Sequence, residues 1–546
     1  NEIFNRRWGG WLRRNIKRSY LSDAPLWTGR SPVFAFIVSE VGDKTSAGEF
    51  YTSLEMGRSL QKLIPCHVRY LPEENWYDLS GVDVVIAMVA RFDLAKVKKA
   101  SPWLVTINWM RQWFDRWADS PSTQSYDHLF ASSGIAARFL QDKLGREVGI
   151  LPIAAGSDTM QVGVFRDHME SDYCFTGSRF GPPREIEHQL DPPAIQGKGK
   201  VFGYNWDGTS FAQITAGPLA YSEIPDAYAS TKIVLDDANI ATKTWGSCNS
   251  RVFDSMAAGT LLITNGAAGV QELFGDLVPT FNSRESLTEV LNYWLTHEDE
   301  RQERVARMQD LVQREHSYDA RARTLVAALA AKDNPVRIAI KCAAHYHERA
   351  QWGDYHYAMS LAASLRKLGY VARVDCRESW HGGLSNSDDV VIVLRGLLSY
   401  RPRNHQTNIL WLISHPDDVT QAELRGYDHV YVASEKHSAI LAEEMGIPAS
   451  FLPQCTDTSR FRFEPERIGT RPDRNLYVAN SRGVFRDPVR WSVLHELPVD
   501  IYGVGWEPFI TDARYRGRLV PNEVLGEFYA SSRLVICDHW DDMRAL

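Results

Sequence analysis

The stretch K-T-W-G-S-C-N-S-R-V-F-D-S-M-A-A-G-T-L-L-I-T-N, residues 243–265, has the pattern of a loop, a short helix, a glycine stop and a buried strand. Asn249 or Ser250 is a suitable N-cap, because its side-chain oxygen can accept a hydrogen bond from the first helical turn. Gly259 suits the left-handed residue that ends a helix. The apolar run 261–263 predicts a strand buried on both faces. The stretch therefore predicts a helix packed on a sheet.

The predicted helix has two interpretations. Arg251 and Asp254 are three positions apart and share a helix face, so they suit a surface ion pair. In the second interpretation the helix is a ligand site, because a helix N-terminus offers free N–H groups and a positive dipole end to a phosphate. Arg251 would then add a charge-assisted bond to a phosphate oxygen, and Asp254 would hold the hydroxyl groups of a ribose.

A family resemblance favours the ligand site. The pattern N-x-R-x-F-D-x-x-A-x-G at residues 249–259, followed by an apolar strand, resembles the donor-nucleotide segment of CgeB-like (spore-maturation-type) glycosyltransferases of GT-B fold. Q-E-L-F at 271–274 and H-S-Y-D-A-R-A at 316–322 are similar to that family as well. The resemblance implies a nucleotide-sugar-dependent transferase of the hexosyl type. The donor contacts that it implies at the helix are Asn249, Ser250, Arg251 and Asp254.

Bulk composition restricts the class of protein. The chain has 546 residues, more than one hydrophobic core usually supports, so several domains are expected. Its formal net charge of −7 gives no electrostatic support for nucleic-acid binding. The seven cysteines are scattered without a C-x-x-C pair, which argues against a disulfide framework or a zinc site and for a reducing compartment. With no signal peptide and no apolar run of membrane-spanning length, a cytoplasmic location is expected.

The N-terminal segment, residues 1–30, differs in composition from the rest of the chain. Six basic residues surround Trp8, Trp11 and Leu12 between positions 6 and 18. This composition suits a membrane surface with anionic lipid, and it predicts peripheral contact with the inner face of the membrane if the acceptor is lipid-linked. The alternative is a linker, or a helix packed on the first domain.

An internal repeat organises the chain. Y-D-H at 126–128 recurs 301 positions later as Y-D-H at 427–429. The same offset relates L-P at 151–152 to L-P at 452–453. Each copy alternates strand patterns with helix patterns, which is the signature of parallel α/β domains. The repeat therefore predicts two related units in one chain.

We predict an α/β protein of two tandem GT-B-like units, each with two Rossmann-like lobes. The second unit is expected to be incomplete at its C-terminus, because Leu546 aligns with Trp245, just before the counterpart of the nucleotide helix. A start at Asn1 instead of Met is consistent with a fragment of a longer protein. The predicted segments are the basic and aromatic segment 1–30, an acceptor lobe 31–160, a nucleotide-sugar lobe 161–334, a second N-terminal lobe 335–465 and a partial second C-terminal lobe 466–546.

Ligands of two-lobed α/β proteins bind at the carboxyl ends of the strands. The loop 39–49 lies between a predicted strand at 33–38 and a predicted helix, and it is not a P-loop, because G-x-x-x-x-G-K-[ST] is absent. An inverting transferase needs a general base near the acceptor hydroxyl. The candidates for this catalytic role in the loop are Glu40, Asp43 and Glu49.

The loop 176–184 follows the first predicted strand of the second lobe and contains Gly177, Arg179 and Arg184. By resemblance, the glycine and the arginines contact the donor pyrophosphate, which arginine can bind in bidentate fashion. Arginines on a solvated loop are the alternative. Comparable loops of the second unit supply further candidates, which are His345, His347, Asp354, His415, Asp417, Arg482 and Arg486.

No metal or other cofactor is expected. Acid pairs such as Asp236-Asp237 lack the D-x-D spacing, and adjacent residues on a strand point to opposite faces. Many retaining GT-B enzymes have two acids eight residues apart. Asp254 matches the second acid, but Gly246 stands in the place of the first, so the stereochemical outcome of transfer stays open.

The predicted function is transfer of a sugar from a nucleotide-sugar donor to a growing glycan, as in the synthesis of a bacterial surface polysaccharide. Two alternatives remain open. One is a catalytically inactive GT-B-like module that binds glycan or acts as a scaffold, because fold does not fix function. The other is a sugar-nucleotide epimerase of the same fold, which would act on the donor without an acceptor.

Overall fold

The structure is a computed structural model that describes residues 31–42, 45, 47–100, 104–156, 158–161, 163–181, 183–330, 336–404, 406–462, 466 and 474–539. The N-terminal segment 1–30, with its predicted membrane contact, and the base candidate Asp43 therefore lie outside the described residues. The described chain divides into two compact units. The first contains the described residues up to 330 together with Gly382–Ser387, and the second contains the other residues from 336 onward.

The first lobe of the first unit is built on a parallel sheet. Its strands are β1 (Val33–Ile37), β2 (His67–Leu71), β3 (Asp78–Leu79), β4 (Val84–Ala87), β5 (Lys99–Ala100), β6 (Val105–Met110), β7 (His128–Ala131) and β8 (Gly149–Ile150). The main sheet has the order β2-β1-β4-β6-β7-β8, and β3 pairs with β5 in a separate ribbon. Every residue of β4 and β6 is buried, as expected for central strands that helices cover on both faces.

Helices of the first lobe connect these strands. Their bounds are Gly48–Leu63, Phe114–Asp119 and Gly134–Leu144. The first of them begins where the sequence predicted a helix after the loop 39–49. It has an acidic residue in its first turn and a basic residue in its last turn, which both oppose the helix dipole favourably. Its buried face packs under the sheet and carries one acidic side chain, Glu55.

The second lobe of the first unit is a second parallel sheet. Its strands are β9 (Ser171–Thr176), β10 (Gly199–Phe202), β11 (Thr215–Gly217), β12 (Thr231–Asp236) and β13 (Leu261–Thr264), in the sheet order β11-β10-β9-β12-β13. Its helices are Glu185–Gln189, Ile224–Ala229, Ile240–Lys243, Ser250–Ala257, Ala267–Phe274, Arg284–Thr296, Glu298–Glu315 and Tyr318–Ala330. The predicted helix, glycine stop and buried strand of 243–265 are confirmed: Gly259 has φ +79° and all of β13 is buried.

The last helix of the first unit, Tyr318–Ala330, crosses back to the first lobe, where it packs on the Gly48–Leu63 helix. The crossing is fixed by a parallel bridge between Ala155 and Ser317. Arg321 adds a hydrogen bond from its Nε to the Pro152 carbonyl at 2.9 Å. Within the described ranges, no helix has the length and apolar character that a membrane span needs.

The second unit has the same strand orders as the first. Its first sheet has the order β15-β14-β16-β17-β18-β19 for β14 (Arg337–Lys341), β15 (Val371–Asp375), β16 (Val390–Arg395), β17 (Thr407–Leu412), β18 (His429–Val432) and β19 (Ala449–Phe451). Its second sheet has the order β22-β21-β20-β23 for β20 (Asn475–Val478), β21 (Val499–Tyr502), β22 (Tyr515–Gly517) and β23 (Val535–Ile536). Its helices are Gly353–Lys367, Gln421–Leu424, Glu435–Met445, Asp487–Leu494 and Leu525–Ser531. The predicted α/β class with parallel sheets is confirmed.

Each unit contains equivalent internal hydrogen bonds at the positions that the sequence repeat relates. The indole of Trp109 donates to the Leu151 carbonyl at 2.7 Å, and the indole of Trp411 donates to the Leu452 carbonyl at 2.9 Å. Helix caps recur as well, because Ser133 and Ser434 each accept a bond from the first turn of the following helix. Within residues 474–539 the last sheet contains no counterpart of β13.

Candidate active site

A cleft with a volume of about 670 Å³ lies between the two lobes of the first unit. One wall belongs to the first lobe and is formed by residues of the 45–52 segment. The opposite wall contains the loops that follow β9 and β10, with the first turns of the Ser250–Ala257 helix. These loops stand at the carboxyl ends of their strands, where α/β proteins bind ligands. The cleft is therefore the candidate site.

Two adjacent buried acids at the end of β12 anchor the two arginines of the cleft. Asp236 Oδ1 lies 2.5 Å from Arg251 Nη1. Asp237 Oδ2 lies 2.9 Å from Arg184 Nε. Both guanidinium groups also lie close to the ring of Phe175, at 4.7 Å for Arg251 and 5.1 Å for Arg184. The acids thus hold the two cations in fixed positions, a role that the sequence analysis, which weighed them only as metal ligands, missed.

Arg251 lines the cleft with a guanidinium that is already bonded within the protein. Its Nε donates to the Thr176 carbonyl at 2.8 Å, and only 12% of its side chain is exposed. Burial acts to lower the pKa of Arg251, but the charge and hydrogen bond of Asp236, together with the charges of Tyr228 and Asp237, outweigh burial and the pKa is raised. The hypothesis of a surface ion pair between Arg251 and Asp254 is therefore wrong. Both side chains are held inside, and the ionic partner of Arg251 is Asp236.

Asp254 is a buried carboxyl group at the wall of the cleft. Among the described residues, no ion pair or side-chain hydrogen bond compensates its charge. Burial raises the pKa of Asp254 well above its usual range; the nearby carboxyl of Glu55 raises it further, and Arg251 opposes the rise. The neutral form is therefore favoured. A neutral carboxyl can both donate and accept a hydrogen bond, which suits a pair of ligand hydroxyl groups.

Glu55 does not line the cleft, but it lies close enough to Asp254 to raise the pKa of that carboxyl, and the sequence alone did not single it out. It lies on the buried face of the Gly48–Leu63 helix, and its Oε1 is 2.8 Å from Arg58 Nη1. Burial raises the pKa of Glu55, and the Arg58 charge opposes that rise. The signal was present in the sequence, because Glu55 shares the helical face of Thr52, Met56 and Ser59, all buried.

The predicted base candidates in the loop 39–49 have different environments. Glu40 is exposed and accepts a hydrogen bond from Thr45 Oγ1 at 2.6 Å. Glu49 lies in the first turn of its helix and accepts bonds from the backbone N–H, at 3.2 Å, and the hydroxyl of Ser39. Burial acts to raise the pKa of Glu49, but the Ser39 hydrogen bond and the Arg111 charge lower it. Glu49 is thus held as an ionised carboxylate.

Only part of the predicted pyrophosphate loop reaches the cleft. Gly177 and Arg184 line it. A Cβ at Gly177 would stand 3.0 Å from Arg251 Nη2, so a larger residue there would crowd the guanidinium. Arg179 does not belong to the lining, and its Nε lies 3.1 Å from both carboxylate oxygens of Glu187. The structure therefore brings Arg184 to the site and ties Arg179 to the following helix.

Asn249 is the N-cap residue of the Ser250–Ala257 helix, but its side chain does not cap it. The amide Nδ2 instead donates to Asp236 Oδ1 at 3.1 Å and to the Asp237 carbonyl at 3.2 Å. The predicted capping bond is wrong, because the two acids at the end of β12 recruit the amide. Ser250 is exposed and lines the cleft. The first turn thus presents N–H groups without a side-chain cap, which suits an anion.

Two candidates of the second unit, Arg486 and His345, have side-chain partners within that unit. Arg486 copies Arg184, because its Nε lies 2.9 Å from Asp538 Oδ2. His345 is engaged at both ring nitrogens, with Glu378 at 2.8 Å and Arg377 at 3.3 Å.

His415 and Arg482 both lie within electrostatic range of Asp354. Burial raises the pKa of Asp354, and the charges of His415 and Arg482 oppose the rise. His415 and Arg482 both have left-handed backbones, with φ +52° and +53°. Asp417 and His347 are exposed. Within the described ranges, no group of three or more His, Cys, Asp or Glu side chains is arranged to hold a metal ion.

Comparison with known proteins gives one family match. Residues 184–327 match the family described as glycosyl transferase-like. That segment contains Arg184, the two acids at the end of β12 and the Ser250–Ala257 helix. No curated protein matches the chain.

Several solved structures of glycosyltransferases are similar at low identity. AviGT4, a glycosyltransferase involved in avilamycin A biosynthesis, is 14% identical, with 54% of this chain and 98% of that chain covered and a TM-score of 0.37. HepE of Anabaena in complex with UDP and glucose is 9% identical, with 55% and 99% covered and a TM-score of 0.42. T4 phage BGT in complex with UDP and Mn²⁺ is 12% identical, with 55% and 99% covered and a TM-score of 0.38.

Proposed function

We propose that the first unit is a glycosyltransferase that binds a nucleotide-sugar donor in its cleft and transfers the sugar to a glycan. One observation carries the proposal. The segment 184–327, which matches a glycosyl transferase-like family, contributes a helix N-terminus, two anchored arginines and the buried carboxyl of Asp254 to a single cleft. An anion, a leaving group and a ribose each find a complementary group there.

In this proposal each group contacts one part of the donor. The pyrophosphate lies at the first turn of the Ser250–Ala257 helix, where free N–H groups and the positive dipole end stabilise negative charge. Arg184 and Arg251 stand beside it in fixed positions, so they stabilise the charge that develops on the leaving nucleoside diphosphate without reorganising. Asp254, in its neutral form, holds the ribose hydroxyl groups. This scheme requires no metal ion.

The acceptor is proposed to bind against the first lobe. Of the three base candidates in the loop 39–49, Glu49 is ionised and fixed by Ser39. Burial raises the pKa of Glu55 on the same helix, and a raised pKa suits a general base. A hexose as the sugar, a bacterial surface polysaccharide or lipid-linked glycan as the acceptor, and contact of residues 6–18 with the inner face of the membrane extend this proposal.

A binding or scaffolding module is the second candidate. It is favoured by the recurrence of the Arg184–Asp237 contact as Arg486–Asp538, because a contact that both units keep also suits maintenance of the fold. Such a module would bind a nucleotide or glycan without turnover. An epimerase, in contrast, would convert the donor in the absence of any acceptor.

The test is thermal stability against UDP, GDP, dTDP, ADP and CMP. One nucleoside diphosphate at about 100 times its dissociation constant should add roughly 2.7 kcal/mol to the stability of the wild type. The gain should be lost in Asp254→Ala, which removes the proposed ribose contact. Asp310→Asn is the matched control, because Asp310 belongs to the same lobe and pairs with Arg314 on an exposed helix face. No gain with any nucleotide would contradict the donor site.

Turnover separates the three candidates. Release of nucleoside diphosphate that depends on an added glycan, and that persists in EDTA, supports a metal-independent transferase. Conversion of the sugar nucleotide without an acceptor would indicate the epimerase. Nucleotide binding without either reaction would indicate a binding module.

A further inference from the structure

Two exposed aromatic side chains line the cleft on its nucleotide-sugar wall. Phe180 exposes 64% of its surface and Tyr204 exposes 55%. Phe180 lies in the loop after β9 and Tyr204 in the loop after β10, and these strands are parallel neighbours. Exposed aromatic surface inside a cleft marks a place where a ligand completes the burial. The donor contacts proposed above, which come from the helix, the arginines and Asp254, do not involve these two rings.

The backbone that carries the two rings is held firmly. Arg179 N–H donates to the Tyr204 carbonyl at 3.0 Å. Tyr204 N–H donates to Ser178 Oγ at 3.0 Å. The indole of Trp206 closes the base of the loop pair with a bond to the Gly177 carbonyl at 2.9 Å. The positions of the rings are therefore set by hydrogen-bonded loops, and the rings themselves remain available to a ligand.

The second unit provides an internal comparison. Ser481 N–H donates to the Val504 carbonyl at 3.0 Å, and Val504 N–H donates to Asn480 Oδ1 at 2.8 Å. The indole of Trp506 donates to the Ala479 carbonyl at 2.6 Å. The same loop scaffold thus exists twice. In the second unit its two outward positions hold Arg482 and Val504 in place of Phe180 and Tyr204.

Comparison of the two loop pairs shows which residues the loop hydrogen bonds need and which residues they do not need. Because the loops form the same bonds with Arg482 and Val504, the scaffold does not need aromatic residues. The two rings of the first unit therefore serve what its cleft binds. They project from the wall that also carries Arg184 and the Ser250–Ala257 helix, which places them with the donor and away from the first lobe.

We propose that Phe180 and Tyr204 form the stacking site for the nucleobase of the donor. The inference rests on the proposed function, which supplies the nucleotide. Aromatic rings stack on any nucleobase through its π-face. The pair would therefore contribute affinity for the base, while the choice among bases would fall to polar groups that reach its edge.

The experiment measures dissociation constants on the full chain for the nucleoside diphosphate that stabilises the wild type and for inorganic pyrophosphate. The variants are Phe180→Ala and Tyr204→Val, the latter taking the residue of the second unit. Each should weaken nucleotide binding by about 5- to 150-fold, the loss expected for one base–aromatic stack. Pyrophosphate binding should change less than about twofold, because the helix and the arginines are untouched. Phe165→Ala is the control, since Phe165 is 53% exposed and does not line the cleft.

Three other outcomes would overturn the inference. If both variants bind the nucleotide as tightly as the wild type while Asp254→Ala does not, the donor site stands and the stacking site is wrong. If pyrophosphate binding falls in parallel with nucleotide binding, the rings support the loops instead of the base. If the wild type binds no nucleotide at all, the proposed function and this inference fail together.

Discussion

At the residue scale, two side chains of one short helix have opposite electrostatic environments. Arg251 forms an ion pair with Asp236, which favours the charged form of the guanidinium. Asp254, one turn further along, has no such partner among the described residues, and burial with the Glu55 carboxyl raises its pKa. A raised pKa in a cleft is typical of functional carboxyls. The helix thus places a fixed cation and a carboxyl with a raised pKa at one wall of the cleft.

The pKa of Asp254 predicts a pH dependence of stability. A group whose native pKa is raised binds more protons when folded, so stability is highest below the unfolded pKa of about 3.9 and falls as pH rises through the native pKa. The slope should approach about 1.4 kcal/mol per pH unit for this one group. Asp254→Asn should remove that slope, as measured by chemical denaturation at a series of pH values. Equal slopes in the wild type and the variant would show that Asp254 is ionised in the native state.

At the scale of elements, the crossing of the Tyr318–Ala330 helix to the first lobe is supported by one arginine in addition to the Ala155–Ser317 bridge. Arg321 Nη1 donates to the Glu315 carbonyl at 2.9 Å, and Nη2 lies 2.9 Å from His316 Nδ1. Its Nε bonds to Pro152, so the side chain joins the end of the first lobe to the start of the last helix. Burial lowers the pKa of His316 to about 4, so its imidazole is neutral and can accept from Arg321.

Replacement of Arg321 should therefore destabilise the first unit. Arg321→Met keeps much of the volume but removes the donor to the buried Pro152 carbonyl and to the partly buried Glu315 carbonyl, at a cost of about 3 kcal/mol. The matched control is Arg323→Met on the same helix, because Arg323 is exposed and its loss should cost less than about 0.5 kcal/mol. Urea denaturation of both variants measures the difference. If the two variants lose equal stability, the crossing is held by apolar packing alone.

At the scale of the whole molecule, the two units share strand order but differ in their cores. Ile37 pairs with Leu71 at the ends of β1 and β2. At the same place in the second unit, Lys341 pairs with Asp375 at the ends of β14 and β15. Lys341 Nζ lies 2.6 Å from Asp375 Oδ2 and is fully buried. One unit thus has an apolar pair where its relative has a buried ion pair, which is a difference that the strand pattern alone would not reveal.

Variants of the buried ion pair test whether nucleotide binding depends on the second unit. Lys341→Met removes the nearest cation of Asp375, which keeps Arg373 as a partner at 2.8 Å, so it should destabilise the second unit by about 1.5–3 kcal/mol, the loss expected for one charged hydrogen bond. The double change Lys341→Ile with Asp375→Leu, the pair that the first unit uses, should recover part of that loss, because Arg373 then keeps only Asp388 as its ionic partner. Nucleotide affinity should be unchanged in both variants, because the proposed donor cleft belongs to the first unit. A parallel loss of nucleotide affinity would contradict this assignment.

The sequence by itself determined the features that depend on neighbours along the chain. The Ser250–Ala257 helix, the glycine stop at Gly259 and the buried strand β13 all follow from periodicity and the chemistry of helix ends. These are short-range properties, so a local pattern is enough to predict them. The parallel α/β class followed from the same alternation of strand and helix.

Only the tertiary structure decided which groups share an environment. In the folded protein Arg251 pairs with Asp236, and the Asn249 amide donates to the same acid. Glu55 lies near Asp254, and Arg179 pairs with Glu187. Folding also left Phe180 and Tyr204 exposed in the cleft. Partners of this kind come from different strands and lobes, and the charge and hydrogen bonding of a buried group depend on every neighbour that replaces its water. No local pattern contains that information, because it arises only when the chain has folded.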